Sequence, residues 1–268
     1  MRKLTKLGRF FVAIAMVAFG VQHFIYLDFV TRVFPKLPPW IPGHLFLSCV
    51  FGAFLIVAGA AIVVGAAART VALLLGGVIL VSFTVLHLPL LLANPLSGGV
   101  WTNSGKGLAL AGGSFLVAGS VPAEAANHAA LRVSIANTLE RFIPLGRFFL
   151  AAFLVLTGIL HFVYVEFVAG LVPAWIPAHL FWTYFTGSAL IAGGIGITLP
   201  QTTRLAASLS GLMIFLWVVL LHIPRAVAAP HDSNETTAVF EALAMSGAAI
   251  LVAANAAIKE KAARGELK

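Results

Sequence analysis

Eight apolar runs, each about as long as a bilayer is thick, follow one another along this chain with short connections between them. They cover about 9–29, 44–65, 70–92, 105–121, 147–168, 179–199, 204–223 and 238–258. A spanning helix needs roughly 20 mostly apolar residues, because ~30 Å of hydrocarbon is crossed at ~1.5 Å per residue. Of the 268 residues 60% are hydrophobic and 10% charged, against about 25% charged in soluble domains. That leaves too little polar surface to cover an apolar core in water. The predicted fold class is an all-α membrane protein with eight transmembrane helices.

The first run begins like a signal peptide, with Arg2, Lys3, Lys6 and Arg9 ahead of the apolar stretch from Phe10 to Val21. Nearly the same stretch returns in mid-chain, so the run reads as a retained helix. Leu7-Gly-Arg-Phe-Phe-Val12 recurs as Leu145-Gly-Arg-Phe-Phe-Leu150. Pro38-Pro-Trp-Ile-Pro-Gly-His-Leu-Phe46 recurs as Pro173-Ala-Trp-Ile-Pro-Ala-His-Leu-Phe181, and His87-Leu-Pro89 as His222-Ile-Pro224. The chain is a duplicated unit. It divides into a first four-helix repeat over 1–121, a linker over 122–144 with a short surface helix expected over 125–141, a second repeat over 145–258 and a basic tail over 259–268. Four spans per copy make the two four-helix bundles parallel, related by a pseudo-twofold along the membrane normal. Glycines inside the spans mark close helix approaches.

With the N-terminus cytoplasmic, most of the 17 lysines and arginines fall on that side, and only Arg32, Lys36, Lys106 and Arg225 on the other. Both termini are therefore expected in the cytoplasm, in a bacterial-type inner membrane. The net charge of +8 is accounted for by this asymmetry, which argues against a nucleic-acid partner and leaves the lipid bilayer as the main one. Cys49 is the only cysteine, so no internal disulfide and no CxxC site exists. It reads as a small apolar residue within a span.

Six of the eight histidines pair through the repeat: His23 with His161, His44 with His179, and His87 with His222. Under this topology all six come to the extracytoplasmic ends of their helices, while His231 lies in an outer loop and His128 in the linker. Ionisable residues at membrane depth are costly and face an interior, a cavity or a partner. Tyr26 and Tyr164 share a helix face with His23 and His161. Asp28 and Glu166 point elsewhere, which argues against a direct His–carboxylate dyad. Lys106 and Glu241 occupy equivalent positions with opposite charge, and the pseudo-twofold either joins them or leaves each in its own bundle. Arg225 replaces an apolar Leu90. The candidate ligand-binding residues are thus His23, Tyr26, His44, His87, Lys106, His161, Tyr164, Glu166, His179, His222, Arg225 and Glu241. Trp40 and Trp175, set among prolines, read as interfacial anchors or as the lining of a ligand entrance.

Four readings of the histidines stand at this point: polar glue between helices, a pocket for a quinone or other lipid-like ligand, a metal or bis-histidine haem site, and a solute path. No two histidines share the spacing that stacks metal ligands along one helix, which argues against haem or metal. No carboxylate lies far from the interfaces, which argues against a proton relay across the bilayer.

The end of span one (Gly20-Val-Gln-His-Phe24, Gly158-Ile-Leu-His-Phe162), the Pro-x-Trp-Ile-Pro loop and the glycine-rich second span resemble a DoxX-like integral membrane protein. The resemblance covers nearly the whole chain as two fused copies, where the usual form is a single unit. It implies a membrane subunit of a thiosulfate:quinone oxidoreductase, and it assigns no catalytic residue. The sequence has no nucleotide-binding loop, CxxC pair or nucleophile triad, so redox chemistry would need a bound cofactor or a redox partner protein. The expected function is a quinone-associated redox subunit or accessory protein. A small-solute or lipid carrier and a non-catalytic assembly or scaffold protein are the alternatives.

Overall fold

The computed structural model describes residues 2–35, 37–122, 135 and 137–266. Most of the expected linker helix, His128 and the cations Lys36, Arg132 and Lys268 lie outside the described residues. Among those described, eight long helices follow one another and no strand occurs. They are α1 (Arg2–Tyr26), α2 (His44–Val64), α3 (Ala68–Ala93), α4 (Gly98–Gly119), α5 (Gly146–Val163), α6 (His179–Thr198), α7 (Thr203–Ala228) and α8 (Ser233–Ala263). Seven of them are long and apolar enough to cross a membrane, α5 as part of a segment beginning at Asn137. This is the make-up of a membrane protein. The exception is α4, which is rich in Gly, carries Asn103 and Lys106 and is buried along most of its length.

Glycines set the packing, because a residue without Cβ lets two backbones approach. A Cβ on Gly20 would come within 2.5 Å of the Gly52 carbonyl, and one on Gly158 within 2.7 Å of the Gly187 carbonyl. These contacts join α1 to α2 and α5 to α6 at positions that correspond in the sequence repeat. Gly8 meets Gly247 across α1 and α8, and Gly146 meets Gly112 across α5 and α4, again at corresponding positions. Thus α1 packs on α8 and α5 on α4, so neither α1–α4 nor α5–α8 is closed on itself. At the centre α4 and α8 touch, with Lys106 on Glu241 and Gly113 on Ala248.

Because Gln22 of α1 bonds Thr237 of α8 while Gly8 meets Gly247, the two helices are antiparallel. The start of α1 and the end of α8 thus share one face of the molecule, called here the terminal face. His23, His44, His87, His161, His179 and His222 lie toward the opposite one, the histidine face.

Two features lie outside a simple helical pattern. At Phe83–His87 and Val218–His222 the helices widen into one π turn, with the Leu88 and Ile223 N–H groups bonded five residues back. Pro89 and Pro224 follow at once. Proline offers no N–H to the carbonyl four residues earlier and its ring presses on it, and the wider turn accommodates that without ending the helix. The end of α8 is the second. Residues 259–263 of the expected tail continue the helix, aided by Lys259 and Lys261 near its negative end and by an Arg204–Glu260 ion pair at 3.0 Å. The described end of the linker docks on the core, through Glu140 on Arg69 at 2.8 Å and Phe142 stacked on Phe115.

Candidate functional site

The connection from α1 to α2 folds inward because it is partly apolar: Val30, Val33 and Phe34 are buried. It closes the histidine face of the α1–α4 half and carries Arg32 in its middle. Arg32 reaches α8, its Nη2 lying 3.1 Å from Glu241 Oε2. Lys106 of α4 approaches the same oxygen at 2.9 Å, and its ammonium lies 3.4 Å from Asn103 Oδ1. Glu241 and Lys106 are only 4% and 6% exposed. One carboxylate oxygen thus holds two cations, while Glu241 Oε1 and Arg32 Nε are buried without a partner.

Above this triad lies a polar cleft of about 260 Å³, lined by Tyr26, Asp28, Phe29, Arg32, Asn234 and Thr237 among others. Its walls are tied by side-chain bonds between α1 and α8. Gln22 Nε2 donates to Thr236 Oγ1 at 3.2 Å, Thr237 Oγ1 donates to Gln22 Oε1 at 3.1 Å, and the Tyr26 and Thr236 hydroxyls lie 2.9 Å apart. Arg32 also donates to the Asn234 carbonyl at 3.2 Å. Thr237 stands one turn before Glu241, so cleft and triad adjoin. Asp232 caps the start of α8 by accepting from the Asn234 N–H at 2.8 Å, which fixes the helix end that forms one wall.

The histidines are arranged differently from one another. His23 is fully buried, donates from Nδ1 to the Phe19 carbonyl at 2.7 Å, and sits among Phe29, Phe34 and Phe51 with Nε2 unpartnered. His87, 1% exposed, donates from Nε2 to the Val33 carbonyl at 3.1 Å and packs on Gly107. Both therefore bear on the inward-folded loop rather than on the cleft. His44 is half-buried, 3.2 Å from the Pro38 carbonyl. His161 donates to the Thr157 carbonyl at 2.7 Å and stacks on Trp217. His179 is half-buried at the start of α6. His222, also half-buried, lies within reach of the charges of Glu241, Arg32, Lys106 and Arg225.

Of the remaining expected residues, Arg225 forms a two-bond pair with Glu235, 2.9 Å from Nε to Oε2. The exposed Tyr164 donates to the Leu96 carbonyl at 3.2 Å and accepts from the Gly98 N–H at 3.1 Å, tying α5 to the start of α4. Glu166 is exposed in a one-turn helix, Val165–Ala169. Arg32, Glu235, Thr236 and Thr237 join the site without having been expected there. The apolar run around Arg32, in a loop that composition alone would leave in water, was the signal for the first. Among the described residues no three His, Cys, Asp or Glu side chains come together in a way that would hold a metal ion.

Residues 150–258, within the second copy, match the family model of a domain of unknown function, DUF8561. No curated protein and no solved structure matches the chain.

Proposed function

We propose that the chain is an eight-span, pseudo-twofold protein of a bacterial-type inner membrane, DoxX-like, with both termini cytoplasmic, and that it binds a quinone head group in the cleft at its extracytoplasmic face. The eighth span is α4, whose low hydropathy suits a helix shielded from lipid by its neighbours. Paired contacts at repeat-equivalent positions support the pseudo-twofold. The observation that carries the ligand reading is the cleft itself. Tyr26, Arg32 and Asn234 carry donor groups for ring oxygens, Phe29 offers an aromatic surface, and Arg32 links the cleft to Glu241. In small-molecule sites placed polar groups fix the orientation of the ligand, and here they stand beside Phe29 and Val30. The role that follows is that of a quinone-associated subunit or accessory protein working with a redox partner protein.

The test is titration of the purified protein with a short-chain benzoquinone. Loss of a hydrogen bond to a charged group costs ~1.5–3 kcal/mol, so Arg32→Ala is expected to weaken binding about 10- to 100-fold. His44→Ala, outside the cleft, is expected to leave it unchanged. Protein that carries no quinone from the membrane and binds none would contradict the reading. A second reading, a small-solute carrier, draws on the Lys106–Glu241 pair, a buried joint between equivalent helices that an alternating cycle would have to open. Uptake into proteoliposomes that disappears with Glu241→Gln would favour it.

A further inference from the structure

The helix pair α5–α6 carries on its outside an open, almost wholly apolar groove of about 480 Å³. Its walls include Phe148, Ala152, Val155, Ile159 and Ile195, with Thr198 at one end. From Phe148 to Ile159 the groove follows α5 for ~16 Å at the helical rise, which is about half of a ~30 Å hydrocarbon core, or one leaflet. One end, at Phe148 and Thr198, lies toward the terminal face. There the Arg147 guanidinium lies 4.5 Å from the centre of the Phe148 ring.

Arg147 corresponds in the repeat to Arg9, and the two are used differently. Arg9 is tied into the protein, its Nε donating to Ser120 Oγ at 2.8 Å and its Nη2 to the Ser120 carbonyl. Arg147 stacks on Phe148 and makes no hydrogen bond or ion pair with any described residue. The groove differs too. Ile14, half-buried, stands in the first copy where the second has the exposed Ala152, so the second copy lacks a branched side chain at that point of the groove.

We propose that this groove binds one anionic phospholipid of the leaflet on the terminal face, an acyl chain lying along α5 and the phosphate paired with Arg147. The inference rests on the reading that the chain spans a bilayer. It commits to lipid because the groove is about one leaflet long and ends beside a cation that is unpaired among the described residues. Guanidinium and phosphate form two parallel charge-assisted bonds, and a ligand bound only by the folded state raises its stability.

The experiment measures the thermal midpoint of the detergent-purified protein as phosphatidylglycerol or phosphatidylcholine of identical chains is added. The wild type is expected to gain at least twice the shift from phosphatidylglycerol. Arg147→Gln is expected to bring that shift down to the phosphatidylcholine level, and Ala152→Ile to reduce the shift from both lipids. Equal shifts in the wild type, or a preference for phosphatidylglycerol that survives Arg147→Gln, overturn the proposal. So does an Ala152→Ile protein that changes its oligomeric state while its lipid response stays intact, because the groove would then receive a second copy. Alkaline extraction of membranes separates the two levels of failure. Release of the protein refutes the spanning reading along with the site, whereas retention without lipid discrimination refutes the site alone.

Discussion

Glu241 is the residue on which the charged interior depends, because its carboxylate pairs with both Lys106 and Arg32. Removing one partner of a buried ion pair costs ~3–5 kcal/mol, since the other charge is left without compensation. Glu241→Gln strands two cations and is expected to lose stability in that range. Lys106→Met still leaves Glu241 paired with Arg32 and is expected to lose less. The double variant Lys106→Met/Glu241→Leu removes both deeply buried charges and is expected to recover most of the loss, as the Arg32 side chain is 28% exposed and can turn to the mouth. Thermal unfolding in detergent measures all three, and a double variant worse than Glu241→Gln would contradict the account. The opposite charges at positions 106 and 241 were visible in the sequence. Their direct contact was not, because the sequence leaves open whether the repeat axis passes between the helices or beside them. The reach of Arg32 to Glu241 was signalled only weakly: its buried loop neighbours Val30, Val33 and Phe34 are apolar but too few to read as an element.

At the scale of the helix, glycine placement decides where pairs meet. A Cβ at Gly20 would strike the Gly52 backbone, whereas one at Gly99 meets nothing within 4 Å. Gly20→Ala is therefore expected to cost ~1–3 kcal/mol through overpacking, and Gly99→Ala almost nothing. Equal unfolding midpoints for the two variants would refute the close α1–α2 contact. The glycines themselves were legible as markers of close approach, and the helix starts at His44 and His179 were legible from the preceding prolines. The π turns before Pro89 and Pro224 were not. A proline in an apolar run predicts a break or a kink with equal force, and the choice depends on neighbours such as Gly107, against which His87 packs. Ala178 shows a related cost. It takes a left-handed φ of 58° where the first copy has Gly43 at 76°, a conformation that costs a side chain ~1–2 kcal/mol.

For the molecule as a whole, the burial of α4 and α8 explains both the shape of the core and the hydropathy of its parts. In α8 72% of the apolar window is buried, against 28–44% in the other candidate spans. A helix surrounded by helices can hold Ser, Thr, Asn and Lys that a lipid-facing one cannot. The recurring motifs could be read in the sequence, but the packing of α1 on α8 and of α5 on α4 could not. Periodicity gives each helix an apolar face without naming the helix that covers it.

The most direct test of this core is a disulfide across its centre. A Cβ on Gly113 would lie 3.5 Å from that of Ala248, within the usual span of a disulfide. With Cys49 replaced by Ala, the pair Gly113→Cys/Ala248→Cys is expected to cross-link within one chain under mild oxidation in membranes, shown by a reducible shift in gel mobility. The pair Gly99→Cys/Ala248→Cys, separated along the helices by about 20 Å at ~1.5 Å per residue, is expected to stay open. Efficient cross-linking of the distant pair, or none of the near pair, would contradict the packing of α4 on α8 and the charged site built upon it.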